Sequence, residues 1–556
     1  REEEVLEPIR VQRVDPYLPG FSGPVGPGKV AWLTSSIDEP PDMTVKPQAD
    51  SIATELTMLA TRGEYETRAV ALFANGAIAS PAVRVDSLSG PAVLPSECVD
   101  VRWTQRLLKR VQYRRLREDA VYNWRFLWRE APEQIAQGHV RQLVVTVHVP
   151  DGTPAGLFQG NLILSAQGKD LASLPVRLRV PGFGLATPEK RAGSYYRGRG
   201  KTDDQIRREM ADIREHGGSV VIWHASIHYH KEKDGSITYD TDAIRDAVEL
   251  QRGERIGPPF IIGTHPLTLA RMLGIKVAMT PECAAEIAGS VEFRQAYAGA
   301  LKALADLETE MGAGEFMYAW MDEVFGRGRY EVWEAIARLT REFSDNRIYI
   351  TFHNRKQEMV DKIAPWVDLR CYHGHTLDSW QAEGHAWQEL ADELAKDGDE
   401  AWNYYNIREI AVTSEWVRLC NGYWLWQSPI SAHVPWTYYH FGGSAFDDLD
   451  SDTHDFAYAA PHPDKPEMVS TLEWECFREG YDDLRYLATL EQSLTAARKR
   501  APRHKAVAAA GAVLAGCRDA APQVPAMAEK LSARDYAQRR VEIANAIEAL
   551  GKIGQN

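Results

Sequence analysis

Apolar and polar positions along the chain fall into two regimes. In "LPVRLRVPGF" (174–183), Val176, Leu178 and Val180 alternate with Arg177 and Arg179, and "RQLVVTVHVP" (141–150) repeats the pattern. A period of two marks a strand with one buried face. The turn-rich "DGTPAG" (151–156) separates that strand from the strand-like "LFQGNLILS". Short strands between turns predict an antiparallel β-sandwich over residues 1–185. "LATPEK" (185–190) reads as a linker.

From about residue 191 the pattern becomes strand then helix, repeatedly. Strand candidates are "AGSYY" (192–196), "SVVIWH" (219–224), "PFIIG" (259–263), "EFMYAW" (315–320), "RIYITF" (347–352), "VDLRCY" (367–372), "AWNYY" (401–405) and "GYWLWQ" (422–427). Amphipathic stretches such as 203–216 and 330–343 lie between them. Eight strands alternating with helices predict a (β/α)8 TIM-type barrel over 186–490. A doubly wound sheet is the alternative, but no Gly-rich dinucleotide fingerprint follows a first strand. Helical spacing resumes near 467, and 491–556 reads as a helical C-terminal extension.

Length and composition narrow the classes. The 556 residues suit two to four domains, and 44% hydrophobic with 26% charged residues is a globular balance. A net charge of −14 argues against a nucleic-acid partner. No apolar run is long enough to span a bilayer. The charged start "REEEVLEPIR" does not read as a leader, and a removed leader would look the same, so the compartment stays open. Six scattered cysteines without a CxxC pair form neither a disulfide framework nor a zinc ribbon. The 16 Trp and 22 Tyr cluster late in the chain, where aromatics serve either core or pocket walls.

In a barrel, chemistry sits at the C-terminal strand ends. Those ends carry His224, the pair Asp322-Glu323, His353 with Asn354, Tyr372 with His373, Tyr404, and Trp424 with Trp426. Trp436 follows a proline in a loop beyond them. Aromatic walls with hydrogen-bonding groups suit a pyranose, and paired carboxylates suit glycosidic cleavage. The dipeptide itself is common: Asp38-Glu39, Asp392-Glu393 and Asp399-Glu400 repeat it. Asp392-Glu393 falls on an amphipathic helix and reads as a solvated face. Asp322-Glu323 instead precedes Gly326 and Gly328, with the next helix expected near Tyr330. It reads either as a catalytic pair or as an N-cap with first-turn charges.

"YAWMDEV" resembles the strand-end Asp-Glu of glycoside hydrolase family 123, and "STLEWECFREGYDDLRYL" (470–487) resembles that family's C-terminal signature. "TRGEYET" (61–67) and residues 145–164 are similar to its N-terminal domain. The resemblance implies retaining exo-hydrolysis of β-linked N-acetylgalactosamine, in which the substrate's 2-acetamido oxygen is the nucleophile. It further implies Glu323 as general acid/base and Asp322 as the group holding the acetamide N–H. Residues 441–464 depart from the family pattern, being longer and more acidic.

Other clusters are set aside. His224, His228 and His230 have a zinc-like spacing without an assignable further ligand. "DDLDSDTHD" (447–455) offers calcium-type oxygens but lacks an EF-hand's glycine and distal glutamate, so a solvated acidic loop is expected. Arg478 and Asp482 read as a structural ion pair or barrel-closing contacts rather than catalysts. The expectation is a cofactor-free, metal-free glycosidase with a carbohydrate partner. A same-fold enzyme acting on a non-acetamido sugar, a non-catalytic sugar-binding protein and a metal-dependent hydrolase are the alternatives.

Overall fold

A computed structural model describes residues 30–37, 47, 49–110, 120–324, 328–353, 355–405, 414–451, 455–521 and 533–553. The N-terminal region is strand-rich and holds two large sheets. In one, the order is Val30–Thr34, Tyr65–Ala74, Val140–His148, Val99–Arg110, Ala120–Trp128, with every neighbour antiparallel. In the other, Lys169–Val180 lies between Gly156–Ala166 and Leu56–Leu59. Leu56–Leu59 runs parallel to Lys169–Val180, so the region is not purely antiparallel as expected. The alternation read from the sequence sets the faces. Val176, Leu178 and Val180 point into a core shared with Val70, Leu72, Leu143 and Val145 of the first sheet.

Nine parallel strands with helices then form a TIM-like barrel. They are β1 (Arg191–Tyr195), β2 (Gly218–Ile222), β3 (Ala225–Ser226), β4 (Phe260–Gly263), β5 (Phe316–Ala319), β6 (Arg347–Phe352), β7 (Leu369–His373), β8 (Glu400–Tyr404) and β9 (Ala432–His433). The hydrogen-bonded order is β2-β1-β9-β8-β7-β6-β5-β4-β3. Only Trp223 and His224 separate β2 from β3, so the two ends of that order are pieces of one strand and the sheet curls round on itself. The enclosed core draws Tyr195, Val220, Ile261, Met317, Tyr349, Cys371, Trp402 and Ala432 from around the ring.

Seven of the eight strand candidates coincide with barrel strands; "GYWLWQ" does not. Residues 414–427 are helical, with a π turn over Cys420–Trp424, and the last strand is the two-residue Ala432–His433. A short apolar run buried on every side has no period that separates strand from helix.

Three C-terminal helices, Leu472–Arg500, Lys505–Ala520 and Ala533–Gly551, follow. The first joins the barrel to the N-terminal sheets through buried charge. Glu479 Oε1 accepts from the Thr67 backbone N–H at 2.8 Å. Arg540 meets Glu66 at 2.6 Å, Glu479 at 2.8 Å and Asp483 at 2.6 Å, all buried. Burial pushes the Glu66 carboxyl up to about 7. Arg418 also reaches Asp483, at 2.8 Å. Arg478 and Asp482 are not paired with each other: Arg478 binds Glu475 and Thr67, and Asp482 binds Arg485. Both are structural contacts, with partners the sequence did not identify.

Candidate active site

At the C-terminal end of the barrel strands a cavity of about 480 Å³ opens. Its lining includes Tyr195, His224, His265, Trp320, Met321, Asp322, Glu323, Tyr349, Thr351, Tyr404 and Trp436. Asp322 and Glu323 leave the sheet three and four residues after β5, whose four residues are all buried. The next helix, Arg329–Phe343, is capped by Gly328, so Asp322 is not its N-cap. Gly328 has φ +73, and a Cβ there would stand 1.8 Å from the Met279 carbonyl oxygen, so glycine is required at that turn.

Both acids line the cavity although they are adjacent in sequence. Strand alternation ends before the pair, since Trp320 and Met321 both pack against the cores outside the barrel, and Glu323 itself takes a left-handed φ of +46. Its N–H donates to Thr351 Oγ1 at 3.0 Å, and the Thr351 hydroxyl donates to Asp322 Oδ1. Tyr404 donates its hydroxyl to Glu323 Oε1 at 3.0 Å. Burial, and then the charge of Glu323, raises the Tyr404 phenol far above its ordinary value, so it stays a donor. His353 Nδ1 lies 3.9 Å from Glu323 Oε2.

The rest of the lining is largely aromatic and imidazole. His224 opens onto the cavity, tilted against Tyr195 at 6.0 Å and edge-on to Tyr349 at 6.3 Å. The surrounding protein pushes its imidazole down to about 4 despite the opposing pull of Asp322, so it is neutral near pH 7. Tyr195 and Tyr349 share a hydrogen bond between their hydroxyls. His265, also left-handed at φ +41, places Nε2 3.1 Å from Ser226 Oγ. Trp436 is half-buried and packs edge-on against His440.

The structure therefore brings His224, Asp322, Glu323, Tyr404 and Trp436 together in the cavity lining, with His353 outside it but beside Glu323. Asn354 lies outside the described residues. His373 is not in the cavity wall; it packs edge-on against Tyr404, with ring centroids 4.9 Å apart. Three expectations are corrected. Tyr372 is buried on the outer face of β7 against Phe352, because Cys371 takes the inward position. Trp424 and Trp426 sit in the helical 414–427 segment and belong to the core outside the barrel. Tyr195, His265, Trp320, Met321, Tyr349 and Thr351 line the cavity without having been picked from sequence. Strand parity could have found Tyr349 and Thr351, which share the inward face that His353 continues.

The other Asp-Glu pairs separate cleanly from this one. Glu393 is not solvated: it meets Arg370 at 2.6 Å and Arg355 at 2.9 Å. Asp399 pairs with Arg370, and Glu400 with Arg191 and Arg347. Asp38 and Glu39 lie outside the described residues. The acidic loop also differs from expectation, since Asp448 and Asp455 are buried. They turn inward to accept backbone N–H groups, Asp448 from Asp455 at 2.7 Å and Asp455 from Gly442 at 3.1 Å. Residues 452–454 of that loop lie outside the described residues. His224, His228 and His230 do not converge. Among the described residues the only trio close enough to hold a metal is Glu130, His462 and Glu467. There Lys465 and Arg129 already neutralise the two glutamates. No helix among the described residues is long and apolar enough to cross a membrane.

No protein-family profile and no curated protein matches the sequence. Among solved structures, the chain is similar to a family 123 glycoside hydrolase from Clostridium perfringens. The TM-score is 0.65 at 12% identity, over 95% of this chain and 98% of that one. At that identity the likeness shows the fold alone. A GH5 xyloglucanase from Bacteroides ovatus aligns at a TM-score of 0.28 and 9% identity, over 77% of this chain and 98% of that one, too low to argue from.

Proposed function

We propose that the chain is a glycosidase that removes a terminal β-linked N-acetylhexosaminide, N-acetylgalactosamine foremost, by substrate-assisted hydrolysis with retention. The observation that carries this reading is the cavity itself: both carboxylates of one dipeptide line it, together with aromatic and neutral imidazole groups. Among its lining residues Asp322 and Glu323 are the acids. The fold shared with a structure described as revealing glycolipid glycan hydrolysis supports the substrate class. We also take the two N-terminal sheets as a β-sandwich over residues 1–185, the barrel as 186–490, and the remainder as a helical extension, with the helix Leu472–Arg500 running across that last boundary.

In this reading Glu323 gives its proton to the glycosidic oxygen as the bond from that oxygen to the anomeric carbon breaks. The acetamide carbonyl oxygen bonds to the anomeric carbon from the other face, giving an oxazolinium ion. Asp322 accepts the acetamide N–H and steadies the positive charge. Water then attacks the anomeric carbon, losing its proton to Glu323, and the ring reopens with the original configuration. Substrate assistance is a recognised exception to the scheme of an acid plus an enzyme nucleophile. His224, neutral, can both donate to and accept from sugar hydroxyls. Trp436 offers an apolar face for the C–H side of the pyranose. Trp436→Ala is expected to raise KM about tenfold, a loss of ~1.4 kcal/mol, with a smaller change in kcat. Steady-state kinetics checks this; an unchanged KM would remove Trp436 from the subsite.

A thiazoline analogue of the acetamido sugar tests the mechanism. Competitive inhibition is expected. Hydrolysis that proceeds without any inhibition would favour Asp322 as a covalent nucleophile instead.

A further inference from the structure

We infer that Thr351 is the positioning residue that locks Asp322 and Glu323 into one unit, an inference that rests on the glycosidase reading for its kinetic consequences. On β5 the alternation is visible in the burial: Met317 and Ala319 face the barrel interior, while Tyr318 belongs to the core outside it. Continued without change, it would turn Met321 and Glu323 inward and Asp322 away. Yet Asp322 lines the cavity too. The alternation ends before the pair, since Trp320 and Met321 both pack against the cores outside the barrel, and Glu323 then takes a left-handed φ of +46. For a residue with a side chain that conformation is strained unless its surroundings hold it.

Thr351 is what holds it. It lies next to last on β6, buried, on the same inward face as Tyr349. Its oxygen accepts the Glu323 N–H at 3.0 Å. A hydroxyl has one proton. Because the Glu323 N–H can only donate, that proton is free for Asp322 Oδ1, and the contact there is made. One side chain thus fixes the backbone of the proton donor and orients the carboxylate of its neighbour. Arg329 adds a hold on the Asp322 carbonyl oxygen at 2.5 Å. Asp322 Oδ2 is left without a hydrogen-bond partner among the described residues, so it is the oxygen available to an acetamide N–H. The β-branch also matters, since threonine is stiffer than serine about χ1.

The experiment compares Thr351→Val, Thr351→Ser and the unchanged protein by crystallography and by steady-state kinetics on an aryl β-N-acetylgalactosaminide. T351V keeps the shape of the side chain and removes both hydrogen bonds. In T351V the Glu323 backbone is expected to leave the left-handed region and its carboxylate to lose Tyr404. With it, kcat is expected to fall about 100-fold, as a displacement near 1 Å can produce, while KM changes less than about threefold. T351S, which keeps the hydroxyl, is expected to retain the backbone geometry and most of kcat. A merely structural threonine would lower stability without this split and without rescue by serine. T351V with Glu323 and Asp322 in place overturns the inference whatever substrate the protein turns over. Should T351V not fold, Thr351→Ala is read by the same criteria. If the protein cleaves a different glycoside, the crystallographic comparison still decides the role of Thr351, and only the functional reading fails.

Discussion

Glu323→Gln is expected to lower kcat on an aryl β-N-acetylgalactosaminide by about 10²–10⁴-fold, the range that one positioned acid/base contributes. The fold should be untouched. The Glu323 side chain is 45% exposed, and among the described residues it forms part of no buried ion pair. Glutamine keeps an oxygen to accept from Tyr404, which now holds Glu323 Oε1 at 3.0 Å. What is lost is the proton. A thermal unfolding curve beside the kinetics separates the two effects: an unchanged transition with a collapsed kcat is the expected pair. Full activity in the variant would remove Glu323 from proton transfer, and Asp322 would have to be reconsidered in its place.

The second large effect is on stability. Arg540→Met is expected to lower the unfolding free energy by about 3–5 kcal/mol, the usual result of removing one partner from a buried ion pair. Arg540 is 1% exposed and meets Glu66, Glu479 and Asp483 within 2.8 Å. Glu64 stands 3.8 Å away. Without the guanidinium, several buried acids face one another. Arg418 still reaches Asp483 and Arg68 still reaches Glu66, so they moderate the loss. Chemical denaturation followed by tryptophan fluorescence measures it. A change below about 1 kcal/mol would mean that the acids are neutral in the fold and that the network is not held by this arginine.

Much of the architecture was legible because periodicity reports burial. Strand alternation in residues 174–183 and the strand–helix repetition after residue 191 both follow from faces that meet a core. The position of Asp322-Glu323 was legible for the same reason: an apolar strand ends, and the chain turns through Gly328 before the helix begins. Failures came where burial surrounds a segment. "GYWLWQ" is apolar and aromatic on every side, so nothing in its pattern separates the observed helix from a strand. Tyr372 and Trp424 were drawn to the rim by their residue type, but parity on β7 and the helical 414–427 segment bury them. His265 and Tyr195 carry no signal of their own, because their roles depend on which strands are neighbours. The acids of the Leu472–Arg500 helix were equally hard to place, since Arg540, which pairs with Glu479, lies 61 residues away in sequence, and Thr67, whose N–H Glu479 accepts, lies 412 away.

The substituent at the sugar's second carbon decides the central claim. Matched aryl β-N-acetylgalactosaminide and aryl β-galactoside differ only there, so one assay on both isolates the acetamido group. Turnover of the first, with the second at least about 100-fold slower, is expected if the substrate supplies its own nucleophile. Equal turnover of both, or cleavage of the galactoside alone, would contradict substrate assistance.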